Sequence, residues 1–200
     1  MNNADKIEKA FEEQGYITAT NIRTAGIASW FLTDFVRKNG LMKVAKGFYA
    51  SSNWPVDPFL VFQYKYKKFV FSHSSAAYLH HLADNLPWIL EVSGPKNYRP
   101  VSPKEAEFVL HTVTAKGIYE LGIAEMATPF GNKVLAYDLE RTVCDLIKEG
   151  DKADKELYVK TLKAYLHHPK KKLSRLMEYA KKMRIGSKVR IIMEVLLNED

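Results

Sequence analysis

Glycines at positions 15, 26, 40 and 47 cut the first fifty residues into segments that leave room only for short helices and short strands. Ahead of Gly15, apolar Ala4, Ile7, Ala10 and Phe11 recur at helical spacing. Thr18 stands where a second short helix, "ATNIRTA", needs an N-cap, and Gly26 ends that segment. A third helix opens at Ser29 or the residue before it and closes at Asn39-Gly40. Three short helices joined by such tight turns predict a helix-turn-helix.

The period of the third helix sorts its residues into two faces. Ala28, Phe31, Leu32, Phe35 and Val36 fall on one side, which is the core side, and Ser29, Trp30, Thr33, Asp34 and Arg37 on the other. In a helix-turn-helix the outer face of the last helix enters the major groove of DNA. The segment from about Ser29 to Lys38 is therefore the candidate recognition helix, with Ser29, Trp30, Thr33 and Arg37 nearest the bases. "LMKVAKGFY" reads as two short strands with a turn near Ala45-Lys46-Gly47, which makes a wing. Lys43, Lys46 and the helix start at Thr18 are the expected phosphate contacts. Asp34 counts against this use, because phosphates repel a carboxylate. The competing use of the same unit is contact with protein, with Trp30 covered by a second domain.

"NWPVDP" reads as a linker, which divides the chain into a winged helix-turn-helix at 1–52 and a larger domain at 58–200. In the larger part "FLVFQYKYK" suits a helix or a strand, and "HSSAAYLHHL" suits a helix capped by Ser72. "WILEVSG", "FVLHTVT" and "KVLAY" read as strands, with a turn at Gly131-Asn132. Asp138 caps a helix "LERTVCDLIK", and helices follow at about 154–167, 171–183 and 187–197. Mixed strands followed by a helical tail predict an α+β domain.

A formal net charge of +7 points to an acidic partner, of which nucleic acid is the commonest. The lone Cys144 excludes an internal disulfide and any multi-cysteine zinc site. The N-terminus lacks the apolar stretch of a secretion signal, and no apolar run approaches the ~20 residues of a membrane span. The expectation is a cytoplasmic protein. The tail "PKKKLSRLMEYAKKMRIGSKVRIIMEVLL" carries Lys171, Lys172, Arg175, Lys181, Lys182 and Arg184 largely outside an apolar stripe. These six are a candidate second phosphate-contacting surface, or simply a solvated face.

Three segments, "GYITATNIRTAGIASWFLTDFVRKNGLMKVAKGFYA", "FVFSHSSAAYLHHLADNLP" and "YDLERTVCDLI", come in the order and spacing of the AbiEi family of antitoxins, which the chain resembles over nearly its whole length. That family belongs to the type IV toxin–antitoxin systems of bacteria. The resemblance implies a winged-helix domain that represses its own operon, with inverted repeats in double-stranded DNA as the target. It also implies a C-terminal domain that counters a nucleotidyltransferase-like toxin without forming a stable complex. "DLERTVCDL" matches the family's signature at Arg141, Thr142 and Asp145. Arg141 and Asp145 are i, i+4 neighbours that can pair and pin the helix to the sheet, while Val143, Leu146 and Ile147 pack inward. A direct role in antitoxicity is the alternative, and Cys144 reads as a small buried filler.

Catalysis is not expected. The chain has no P-loop, no G-x-S-x-G elbow and no H-E-x-x-H, and no Glu is followed two residues later by Lys as a restriction-type nuclease would need. His73, His80 and His81 share one helix, but a metal would still need partners from elsewhere, such as Asp84 or His111. Ordinary helix histidines, with no metal and no cofactor, are the expectation. The alternatives to the antitoxin reading are a winged-helix adaptor whose basic tail binds an acidic partner, and a metal-dependent nuclease.

Overall fold

The computed structural model describes residues 3–98, 108–150 and 154–198. The chain is α+β, and its contacts divide it into two compact units, Met1–Lys65 and Tyr66–Asp200.

The first unit runs α1 (Asn3–Gln14), β1 (Tyr16–Thr18), α2 (Ala19–Thr24), α3 (Ser29–Lys38), β2 (Met42–Ala45), β3 (Phe48–Ala50) and α4 (Pro58–Lys65). Ile7, Ile17, Ile22, Ile27 and Leu32 form its core, with Phe11, Phe31, Phe35 and Val36 packed around them. Each of the helices α1 to α3 thus contributes from the stripe its period defines. The three strands pair antiparallel in the order β1-β3-β2, and Lys46-Gly47 make the turn between β2 and β3. Gly47 has φ +74°, and a Cβ there would meet the Tyr64 hydroxyl and the Ala19 methyl at 3.0 and 3.1 Å, so glycine is required on both counts.

The expected boundary at 52–58 moves to Lys65, because that segment is not a free linker. The Trp54 ring packs on Tyr16 and Phe48, and Asp57 is fully buried. Asp57 Oδ1 accepts from the backbone N–H groups of Phe59 and Leu60 at 3.0 and 3.2 Å, which caps α4 with Pro58 at its first position. The Tyr64 hydroxyl then donates to the Gly47 carbonyl at 2.9 Å.

The second unit runs β4 (Val70–Phe71), α5 (His73–Leu79), β5 (Leu90–Pro95), β6 (Phe108–Val113), β7 (Ile123–Ala127), β8 (Lys133–Tyr137), α6 (Leu139–Glu149), α7 (Lys155–His167), α8 (Leu173–Lys182) and α9 (Gly186–Asn198). The sheet order is β6-β5-β4-β8-β7, with β5–β6 and β4–β8 parallel and the other two pairings antiparallel. Strands β4 and β7 were not anticipated. Val70–Phe71 is too short to show a period, and "IAEMA" lacks the β-branched run that marks a strand. Helix α6 is the hub of the unit: every residue from Leu139 to Ile147 is buried. It packs against α5 on the sheet side and against α7, α8 and α9, where Leu162, Tyr165, Leu176, Val189 and Met193 close the core.

Candidate functional site

The outward face of α3 carries the residues expected to read DNA. Ser29, Trp30, Thr33, Arg37 and Lys38 are all exposed, and Leu32 is the buried residue opposite them. Ala28 departs from the expected core face: as N-cap it lies in solvent. The Trp30 indole is 61% exposed and lies flat on Phe31, with ring centroids 3.7 Å apart. Arg37 reaches Asp34 at 3.0 Å and Lys38 reaches it at 2.8 Å. Hydrogen bonds from Lys38 and then Arg37 hold the Asp34 carboxyl below its usual range. The objection Asp34 raised to phosphate is thereby reduced, since two cations answer one carboxylate. Lys43 on β2 and Lys46 in the turn are exposed.

Thr18 requires a correction. It is buried, and its hydroxyl oxygen accepts from the Asn21 backbone N–H at 3.1 Å and contacts Asn21 Oδ1. The next N–H, that of Ala19, donates to the Gly47 carbonyl at 2.7 Å. The start of α2 is spent on joining the helix to the hairpin, so the Thr18 side chain has nothing left for a phosphate.

Arg141, Thr142 and Asp145 are likewise internal. Arg141 Nε donates to Asp145 Oδ1 at 3.0 Å, and its Nη1 donates to the carbonyls of Ile118 and Leu121 at 2.5 and 2.8 Å. The guanidinium lies over the Tyr137 ring, 4.0 Å from its centre. Asp138 caps α6 by accepting from Arg141 N–H at 2.9 Å, and Thr142 donates to the Asp138 carbonyl at 2.9 Å. The signature therefore pins α6 to the loop between β6 and β7, with Val143, Leu146 and Ile147 fully buried beside it. The buried Cys144 thiol is pushed up to about 12 by burial, so it is an inert filler.

The six tail cations do not make one free surface. Lys171 bonds the Leu166 carbonyl, Arg175 approaches Asp138 at 3.7 Å and Lys182 reaches Glu178 at 2.7 Å. The Lys172 backbone N–H donates to buried Glu140 at 2.8 Å. Lys181 and Arg184 line a cleft between α8 and α9 together with Lys188 and Arg190.

The histidines divide. His80 Nε2 bonds the Tyr137 carbonyl at 2.8 Å, and burial lowers its basicity. His73 meets His111 instead: the two rings stack at 3.6 Å, beside Glu91 and Glu149. The parallel register pairs Ser93 of β5 with His111 of β6, so Glu91, two residues before Ser93, shares that face. Glu91 Oε2 and His111 Nε2 are 2.7 Å apart, and His73 Nε2 lies 3.6 Å from Glu149 Oε2 at the end of α6. The Glu91 backbone is held from both sides, its carbonyl accepting from Ser72 N–H and its N–H donating to Ser75 Oγ. Burial opposes the Glu91 charge, but hydrogen bonds from His111 and Ser74 hold the carboxyl below its usual range. Burial likewise works against a charged His111, and its bond to Glu91 more than offsets that. His73, His111 and Glu149 border a cavity of about 380 Å³, also lined by Ser93, Arg141, Asp145 and Lys148. Sequence reading named His73 and His111 but not the two glutamates. The available signal was alternation, which puts Glu91 and Ser93 on one face of β5.

No described helix is long and apolar enough to cross a membrane. No family model matches the chain, and no curated protein matches it. Among solved structures, it is similar to the crystal structure of the RV2827C protein from Mycobacterium tuberculosis, at 13% identity, over 90% of this chain and 71% of that one, with a TM-score of 0.57; at that identity the likeness is one of fold.

Proposed function

We propose that the first unit is a winged helix-turn-helix that binds its own operator, and that the whole chain is the cytoplasmic antitoxin of a type IV toxin–antitoxin system, as the resemblance to AbiEi antitoxins implies. In this reading α2 and α3 are the helix-turn-helix, and the β2–β3 hairpin is the wing. The observation that carries it is the outward face of α3, where hydroxyl, indole and guanidinium groups stand exposed above a core that does not need them. Arg37 and Thr33 offer donors for base edges, and Lys38, Lys43 and Lys46 supply charge for the phosphate backbone. The second unit counters a nucleotidyltransferase-like toxin without a lasting complex and performs no chemistry of its own. The exposed Trp30 stacked on Phe31 favours a second reading, an adaptor that docks on protein through the same face.

A mobility-shift titration on the gene's own upstream DNA, with scrambled DNA as competitor, separates the two. A shift that resists the competitor and is lost in the Thr33→Ala/Arg37→Ala variant supports the repressor. Equal competition by scrambled DNA removes it and leaves the adaptor.

A further inference from the structure

We infer that His73, Glu91, His111 and Glu149 form a binding site for a divalent transition-metal ion, with zinc preferred. One ligand atom from each residue lies within 4.8 Å of all the others. Bonds of about 2.0–2.2 Å to a single ion can therefore reach all four once the His111 ring turns. Two imidazoles with two carboxylates suit zinc, cobalt or manganese, whereas calcium and magnesium favour all-oxygen shells. The ligands come from α5, β5, β6 and α6, so an ion here ties the sheet to both helices that cover it.

A separate observation points the same way. Asp145 is buried and lines the same cavity, and its Oδ2 has no hydrogen-bond partner among the described residues. A buried carboxylate oxygen without a donor is costly, and a nearby cation offsets that cost. The cavity cannot be read as an anion site on the strength of Arg141, whose guanidinium is already engaged by Asp145, Ile118 and Leu121.

His73 is arranged as a ligand. Ser72 Oγ holds its Nδ1 at 3.0 Å, which leaves Nε2 turned towards Glu149. Its backbone sits at φ +48°, in the left-handed region that few residues other than glycine enter. In the metal-free arrangement the two rings are inclined by 18°, nearly parallel. An ion must lie near the plane of each ring. Its entry therefore turns His111, the more exposed of the two, out of the stack and breaks the 2.7 Å contact with Glu91. That frees the Glu91 carboxylate to join the shell.

The test uses the full chain, stripped with a chelator and titrated with cobalt(II) and then zinc(II). The expected result is one equivalent of cobalt per chain, visible d–d bands of a low-coordinate site, and displacement of cobalt by zinc. His111→Gln and Glu149→Gln should each weaken binding by more than about tenfold with unchanged far-UV dichroism. Should either variant fail to fold, the imidazole ¹⁵N resonances of the wild-type chain decide: zinc must move those of His73 and His111. No d–d band, affinity unchanged in both folded variants, or shifts confined to His167 and His168 would each overturn the assignment.

Discussion

Asp34 and Arg37 on α3, and Arg141 and Asp145 on α6, are aspartate–arginine pairs about one helical turn apart, each closed at 3.0 Å. Their surroundings differ completely. The Arg37 side chain is 81% exposed, whereas that of Arg141 is 1% exposed. In solvent such a pair contributes little, so Arg37 can exchange its aspartate for a phosphate or a base edge at small cost. In the interior Arg141 has replaced all of its water with one carboxylate, two carbonyls and a ring face. Releasing it would strand every one of those partners. The same two residue types stand free to exchange partners in one place and locked into the architecture in the other, and burial alone decides which.

The largest effect expected from this contrast is at Arg141. Arg141→Ala removes the donors to Asp145, Ile118 and Leu121 and should cost about 3–5 kcal/mol of stability, read from urea unfolding of the full chain. Rescue from toxin should fail with it, because the second unit opens. Arg141→Met/Asp145→Leu should recover part of that stability, since no buried charge is left unpaired. Recovery stays incomplete because the two carbonyls remain without their donor. If Arg141→Ala keeps its wild-type midpoint and still loses rescue, the residue acts on the toxin directly and the architectural half of the comparison fails.

Burial is also what separates the readable from the unreadable parts of the sequence. The α3 face was legible because 3.6 residues per turn sort Leu32 from Thr33 and Arg37 without reference to any other element. The cap at Asp138 and the turn at Gly131 were legible for the same local reason. The role of Thr18 was not: the β3 edge that buries it lies beyond two intervening helices in the chain. Trp54 and Asp57 read as linker because prolines flank them, while the packing that orders them comes from Tyr16 and Phe48. The cluster around His73 depends on parallel β5–β6 pairing and on the end of α6, which no local pattern encodes.

The next effect belongs to the exposed pair. Arg37→Ala should leave the unfolding midpoint unchanged, yet cost about 1–3 kcal/mol of operator binding and relax specificity at one base position. Lys46→Ala should weaken all sequences alike and lower the salt slope by about 1. Fluorescence anisotropy over a series of salt concentrations and single-base operator variants gives both quantities. Uniform weakening from both substitutions would remove α3 from the base edges and leave only a basic surface.

Acid should act on the buried side of the comparison first. The first unit, residues 1–65, contains no histidine. In the second, burial lowers the pKa of His80 below 6.5, against the backbone bond to Tyr137 and the charge of Asp138, while His168 and His81 lower it further. Below pH 6.5 the unfolded chain therefore takes up a proton that the folded chain resists. His80's contribution is complete above that pH and declines as pH falls towards the folded value. His80→Gln, which can still donate to the Tyr137 carbonyl, should flatten the loss of stability between about pH 6.5 and 5 in urea titrations. An unchanged slope would mean that His80 is solvated in the folded state.

The smallest effect is the most discriminating for the exposed pair. Asp34 holds both Arg37 and Lys38, and it can do so in either of two ways. If it only neutralises them, Asp34→Asn frees two cations and removes a charge that phosphate repels. Binding to operator and scrambled DNA should then both tighten by a few-fold at low salt, and the gain should fade as salt screens it. If Asp34 instead presets the Arg37 guanidinium for one base, the substitution loosens that side chain. Operator affinity would then fall while scrambled DNA still gains, so the specificity ratio drops. The ratio of the two affinities, measured at low and at near-physiological salt, tells a screening carboxylate from an orienting one. An orienting Asp34 would give the exposed pair a structural duty like that of Asp145, and burial would no longer be all that separates the two.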